Sequence, residues 1–420
     1  MAKGKEEKAP GRDERIAALK EMVNKKMRGR AVLRAATDYE LPFLYKRLPT
    51  GLLSLDLELA GGWPAGGLSQ VVGRRNSGKT LLAWWTIRQL QQVLCGEDTK
   101  VLLAMTELRA DRSQARIAGV QIALSDGELE DMNFRRKEAG EKPLTRKEAD
   151  TLFPQIGTID ELHALSAEDF YDVLLSAIES NAYHLIVLDS IGNILSNAEQ
   201  ENESVHDKTY GGAASPNTTF LKKMQNLLTM ETEWGEVRDT CILAVNQIRE
   251  DLKDPNKKYK TPGGKALEHA KLVDVYLEPG AFLGKHEEER FTPEGNKKVT
   301  VFTGKEVHWS IEKGKAGIHD GARGRLAFNF QTSNFDSYTD TVVAGINCGV
   351  IQQTGAWYVI PNPKNPDEPL LKVNGREKFV MALYEDDVAK AKEGKTDTFM
   401  NIIRTMAFKV KGIKTEYEWD

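Results

Sequence analysis

Residues 68–85 read LSQVVGRRNSGKTLLAWW, and the eight from Gly73 to Thr80, GRRNSGKT, satisfy G-x-x-x-x-G-K-[ST] in full. An apolar, β-branched run ends at the first glycine and a helix-forming run begins at the last residue, so the spacing predicts strand, loop and helix in that order. Gly73 and Gly78 let the backbone turn so that successive N–H groups converge on phosphate oxygens, and the helix starting near Lys79 aims its positive end at them. Lys79 can neutralise β and γ phosphates, Thr80 can offer its hydroxyl to Mg²⁺, and Asn76, Ser77 and Leu81 complete the cradle. The competing reading is an incidental Gly/Ser turn, which only the remaining polar groups of such a site can exclude.

The chain has 420 residues, which predicts one large domain with appendages or two to three domains. Hydrophobic residues make up 40% and charged residues 29%. No run approaches the length of a membrane span, and MAKGKEEKAPGRDER is too polar for a signal peptide, so a cytoplasmic globular protein with no membrane partner is expected. Cys95, Cys241 and Cys348 show no C-x-x-C spacing, which argues against a disulfide framework or a structural zinc. The net charge of −4 advertises no nucleic-acid binder, so any DNA contact has to come from local basic segments.

Beyond the loop, apolar runs alternate with helical patterns. A helix from Lys79 to about Leu94 precedes the strand Lys100–Met105; later strands are His184–Leu188 and Thr240–Val245. Such alternation implies an α/β fold with a mostly parallel sheet covered on both faces, and function at the carboxyl ends of its strands. Three polar residues stand there. Asp189 can hold Mg²⁺ beside Thr80, or cap the following helix. Glu107 can orient and deprotonate the water that attacks the γ-phosphate, or be a surface glutamate, and spacing alone does not decide. Gln247 can hydrogen-bond the γ-phosphate and report its loss to the segment that follows, or be a plain loop residue.

The segments LSLDLELAGGWPAGGL (53–68), GRRNSGKT, TELRADRSQARIAGV (106–120), IVLDSIG (186–192), ILAVNQIRE (242–250), TPGGKALEHA (261–270), IEKGKAG (311–317) and TGAWY (354–358) occur in one order. In that order and at roughly that spacing they resemble the bacterial RecA recombinase family and its phage relatives, over about residues 15–360. The resemblance implies a P-loop RecA-type core at 49–335, an N-terminal helix-strand oligomerisation segment at 1–48 and a small C-terminal α/β domain at 336–420. It implies ATP and Mg²⁺ as cofactors and Glu107 as the hydrolytic base. Asp111 and Gln114 would line the adenine pocket, Gln247 would sense the γ-phosphate, and Lys313 and Lys315 would reach into the ATP site of an adjacent subunit. The helix over Arg15–Met27 and a strand at Arg30–Arg34 would dock one subunit on the next.

The same resemblance places a first DNA-binding loop at 196–212 and a second at 248–262. In the second, Arg249, Lys253, Lys257, Lys258 and Lys260 surround Tyr259. Cations for phosphates with an aromatic for stacking grip single strands without reading sequence, although a solvated charged loop has the same composition. The first loop is more acidic, so backbone N–H groups, including those of Gly211 and Gly212, would carry contact there, with Lys222 and Lys223 adding charge from the next helix.

Residues 127–155 form a charged insertion, helical at Arg146–Leu152, and Glu268 and His269 stand where the family has a basic residue and an aromatic. Gln114 replaces the family's adenine-pocket aromatic. Towards the C-terminus a Pro/Asn-rich hairpin-like stretch precedes helices at Tyr384–Lys392 and Thr398–Phe408, and the chain ends in the acidic EYEWD. The expected function is ATP-dependent homologous recombination and DNA repair: a DNA-stimulated ATPase that forms a homo-oligomeric helical filament on single-stranded DNA and exchanges strands with double-stranded DNA, served by single-strand-binding and loader proteins. The alternatives are a ring-forming P-loop DNA motor of the same core fold and a nucleotide-regulated scaffold.

Overall fold

The computed structural model describes residues 12–27, 46–106, 111–191, 214–248, 264–292, 295–365 and 367–414. The chain divides into two compact units, Met1–Leu41 and Pro42–Asp420. In the first, helix α1 (Arg12–Met27) carries Asp13 and Glu14 in its opening turn and Lys25 and Lys26 in its last, charges that complement the helix dipole at both ends. Those acids extend the helix one turn ahead of the predicted start. The strand expected at Arg30–Arg34 lies outside the described residues.

The second unit opens with β1 (Arg47–Leu48), α2 (Leu53–Glu58) and β2 (Trp63–Pro64), then β3 (Leu68–Gly73) and α3 (Lys79–Gln89). The predicted continuation of α3 to Leu94 is present as a π-helical turn over Leu90–Leu94. Next come β4 (Lys100–Met105), α4 (Arg112–Ile117), α5 (Asp126–Glu138), α6 (Arg146–Leu152), β5 (Thr158–Leu162) and α7 (Ala167–Ser180). They are followed by β6 (Leu185–Asp189), α8 (Ala214–Leu228), β7 (Cys241–Gln247), α9 (Gly264–Ala270) and β8 (Lys271–Leu283). An antiparallel run then forms: the hairpin β9 (His286–Thr292) and β10 (Gly295–Val301), with β11 (Gly304–Lys313), β12 (Arg323–Asn329) and β13 (Asn334–Phe335).

Nine of these strands make one sheet in the order β13-β12-β11-β8-β3-β7-β6-β4-β5. The block from β8 to β5 is parallel and the pairs from β8 outward to β13 are antiparallel. Both faces are covered, and alternate residues serve them. Val101, Leu103, Leu185, Val187, Cys241, Leu243 and Val245 join α3 in one core, whereas Leu102, Ala104, Ile186, Leu188, Ile242 and Ala244 join α7 and α8 in the other. This period of two within continuously apolar strands is what a buried parallel sheet requires. β3, between β8 and β7, is buried at all six positions. Its carboxyl end is therefore a rigid platform for the loop that leaves it.

The insertion contains two helices. Ser125 and Glu128 form a capping box on α5, and Thr145 and Glu148 form one on α6. Leu124, Leu129 and Ala149 give the pair a small core of its own. The C-terminal elements are α10 (Ser337–Asn347), the three-stranded sheet of β14 (Gln352–Thr354), β15 (Trp357–Ile360) and β16 (Leu371–Asn374), α11 (Arg376–Lys392) and α12 (Phe399–Val410). They pack around Leu53 and Leu57 of α2, so that early helix belongs to their core. Arg404 of α12 ion-pairs at 2.7 Å with Asp56, a fully buried carboxylate that also accepts from the Thr50 N–H at 2.6 Å. All three cysteines are free thiols, with Cys241 buried. None of the described helices is long and apolar enough to cross a membrane.

Candidate functional site

The phosphate loop joins β3 to α3 in a conformation that its sequence permits and few others would. Gly78 has φ +87° and Asn76 +58°, both left-handed. A Cβ on Gly73 would lie 2.1 Å from the Leu277 carbonyl oxygen, so only glycine lets the strand end pass β8 this closely. Helix α3 begins at Lys79, leaving the N–H groups of its first turn without helical acceptors. Lys79 is buried, and its Nζ donates to the Arg74 carbonyl at 2.6 Å. Ser77 is fully buried, its Oγ without a hydrogen-bond partner among the described residues. Leu81 points into the core. A second ammonium, from Lys305 on β11, donates to the Asn76 carbonyl at 2.6 Å.

Sheet register aligns the other groups on this edge. Gly73 pairs with Gln247, Asp189 with Val245, and Met105 with Asp189, so the ends of β3, β7, β6 and β4 lie in one row. The Thr80 hydroxyl donates to Asp189 Oδ2 at 3.3 Å. This hydroxyl and carboxylate fit Mg²⁺ as it is usually held, by one or two protein oxygens with the rest supplied by water and phosphate. No group of three or more His, Cys, Asp or Glu among the described residues forms an all-protein metal cage. The left-handed loop, which a Cβ at Gly73 or Gly78 would obstruct, and the first-turn N–H groups of α3, which lack helical acceptors, likewise fit a polyphosphate.

Thr106 ties the row together. Its N–H donates to the Asp189 carbonyl at 2.8 Å and its hydroxyl to the Ser190 carbonyl at 2.9 Å, across a cis Asp189–Ser190 peptide. Asn246 Oδ1 accepts from the Ile191 N–H at 3.1 Å, and its amide faces Gln70 at 3.4 Å. The chain leaving β4 is thereby held against the end of β6. Glu107 is its next residue and lies outside the described residues. Asp111 caps α4, accepting the Gln114 N–H at 3.0 Å, and Gln114 is half-buried on that helix.

Lys313, at the end of β11, donates to the Glu268 carbonyl at the end of α9. Burial, followed by the neighbouring Lys315 charge, holds its pKa below the usual lysine value. Beneath it Lys271, buried in β8, contacts Asp274 at 2.5 Å and Glu268 at 2.9 Å. The acid at position 268 thus serves an ion-pair cluster of this chain. Of the groups expected to meet DNA, Lys222 is exposed on α8 between the buried Leu221 and Met224. Gly211, Gly212, Arg249, Lys253, Lys257, Lys258, Tyr259 and Lys260 lie outside the described residues, as does the acidic C-terminus. Two residues at the loop escaped the sequence pattern, Lys305 and Phe335, whose ring lies 2.7 Å from a Cβ built on Gly78.

A mostly parallel sheet with a phosphate loop at the carboxyl end of its central strand defines an α/β protein of the P-loop class. No protein-family model matches the chain. It is similar to Protein RecA of Rubrobacter xylanophilus, 26% identical over 318 residues that cover 74% of this chain and 73% of that protein. Protein RecA of Heliobacterium modesticaldum is 23% identical over 360 residues, covering 82% and 84%. Protein RecA of Geobacter sulfurreducens is 23% identical over 360 residues, covering 83% and 85%. The chain is thus similar to RecA proteins over most of its length, and its mostly parallel sheet with appended C-terminal strands is consistent with a core of that kind.

Proposed function

We propose that this chain is a DNA-dependent ATPase that assembles as a helical filament on single-stranded DNA, pairs it with a homologous duplex and exchanges strands. The observation that carries the reading is the phosphate loop set in one row with Asp189, Thr106 and Gln247 in a RecA-like chain.

In this mechanism the loop N–H groups and the first turn of α3 receive the β and γ phosphates of ATP. Lys79 leaves the Arg74 carbonyl to pair with them. Thr80 and Asp189 would hold Mg²⁺, which would supply positive charge to offset that of the β and γ phosphates. Glu107, continuing from the clamped Thr106, orients the attacking water and accepts its proton. Gln247 contacts the γ-phosphate and passes its presence to residues 248–262, which grip DNA with Arg249, Lys253, Lys257, Lys258, Tyr259 and Lys260, assisted by Gly211, Gly212 and Lys222. Asp111 and Gln114 flank the adenine, and Lys313 and Lys315 complete the site of the next subunit. The domain scheme belongs to the same proposal: 1–48 for polymerisation, 49–335 for ATPase and DNA loops, and 336–420 as a small appended domain.

Electron microscopy with an ATP analogue and single-stranded DNA tests this directly. Helical filaments support the recombinase; closed six-membered rings support the motor, and no assembly with either ligand supports a scaffold.

A further inference from the structure

Within a phosphate loop the N–H groups face the ligand, so the carbonyls of the same peptides face outward and need partners of their own. The Asn76 carbonyl belongs to the peptide whose N–H is that of Ser77. It points to β11, where Lys305 Nζ donates to it at 2.6 Å. Nothing in the loop motif calls for that lysine, which is 229 residues away in sequence. Its position is nevertheless well defined. Lys305 sits in register between Phe282 of β8 and Phe328 of β12, and its ammonium lies 5.5 Å from the Phe328 ring centre. Burial lowers its pKa from the ordinary lysine value, a cost that the hydrogen bond to Asn76 and the aromatic face offset.

We propose that Lys305 is a positioning residue for the phosphate cradle: by binding the outward carbonyl of left-handed Asn76, it fixes the plane of the 76–77 peptide and turns the Ser77 N–H toward the phosphates. A cation on a carbonyl also polarises the N–H at the other end of that peptide, so the donor it aims is strengthened. Lys79 and Lys305 then divide the work. Lys79 holds Arg74 from within the loop and is released to the ligand, while Lys305 holds Asn76 from outside and stays in place.

The inference rests on the nucleotide-binding reading, and titration of full-length protein with Mg·ATP separates the two. If wild-type protein does not bind Mg·ATP, that reading fails before Lys305 is tested. If it binds, Lys305→Met, which keeps the apolar stem over Phe328 and removes the charge, should raise both Kd and KM about ten-fold, the worth of a charge-assisted hydrogen bond. Turnover at saturating ATP should change less than about two-fold, because ground state and transition state use the same cradle. Lys305→Arg restores a donor and should return Kd to within about three-fold of wild type. Should Lys305→Met fail to fold, Lys305→Gln, neutral and of similar reach, is read in the same way. Wild-type affinity in Lys305→Met, or lost turnover at unchanged KM, overturns the proposal.

Discussion

Replacing Gly78 by alanine tests the geometry of the phosphate loop at its tightest point. The residue is held at φ +87°, and the new Cβ would lie 2.7 Å from Phe335 Cζ. A left-handed conformation costs an L-residue roughly 1–2 kcal/mol. The contact is also far inside the ~3.5–4.0 Å optimum for two carbons. Phe335 has little room to withdraw, since it is buried with Trp85 at 6.3 Å and Phe328 at 6.1 Å between ring centroids. Overpacking of this kind adds about 1–3 kcal/mol, for a total loss of about 2–5 kcal/mol. Urea denaturation of wild type, Gly78→Ala, Phe335→Leu and the double variant apportions it. Phe335→Leu opens space and relieves the overlap but leaves the dihedral cost, so the double variant should be more stable than the two single losses imply, by about 1–2 kcal/mol. A loss in Gly78→Ala below about 0.5 kcal/mol, or strict additivity in the cycle, would refute this account of the loop.

The hydrolytic assignment separates two variants: Lys79→Ala should lose ATP binding and turnover together, whereas Glu107→Gln should lose turnover yet bind ATP and DNA, and normal turnover in the latter rules Glu107 out as the base. Mixing Lys313→Ala/Lys315→Ala protein with Lys79→Ala protein should recover ATPase activity at mixed interfaces if the lysine pair acts in trans; co-assembly without recovery excludes a composite site. In DNA titrations with an ATP analogue, Lys257→Ala/Lys258→Ala should flatten the dependence of log K on log salt, while Tyr259→Ala should cost about 1–3 kcal/mol at nearly the same slope. An unchanged slope in the lysine variant would move the grip elsewhere. Asp340, fully buried and accepting from the Ser54 N–H at 3.1 Å, has its pKa pushed up to about 6, chiefly by burial. The fold therefore prefers its protonated form, and stability falls as pH rises from the unfolded value near 4 through 6, by about 3 kcal/mol. Asp340→Asn should remove that slope and be the more stable protein at pH 7.5, as read by denaturation at several pH values.

Local pattern made much of this molecule legible. GRRNSGKT carries its own conformational demands in two glycines, and the strands at 100–105, 185–189 and 241–247 are apolar runs too short for helices and bounded by polar residues. The helix at Arg146–Leu152 was readable for the same kind of reason, and the Ser125–Glu128 box of α5, though present in the sequence, sits in so polar a stretch that periodicity does not mark it. The strand Thr158–Leu162 was missed because it lies at the sheet edge with no fully buried position and no apolar run. The antiparallel extension β11-β12-β13 depends on pairing partners that no local pattern names.

Composition, period and motif thus determined the class of fold, the phosphate loop and the identity of the polar groups that follow the central strands, because each is a property of a few consecutive residues. Tertiary structure alone decided which distant side chains close on that loop: Phe335 against Gly78, Lys305 on the Asn76 carbonyl, Lys313 on Glu268, and Arg404 on buried Asp56. A charged residue reads as solvated until sheet order and register bring it to a particular carbonyl or carboxylate, and those are set by the summed burial of the whole core and not by the residue's neighbours in the chain.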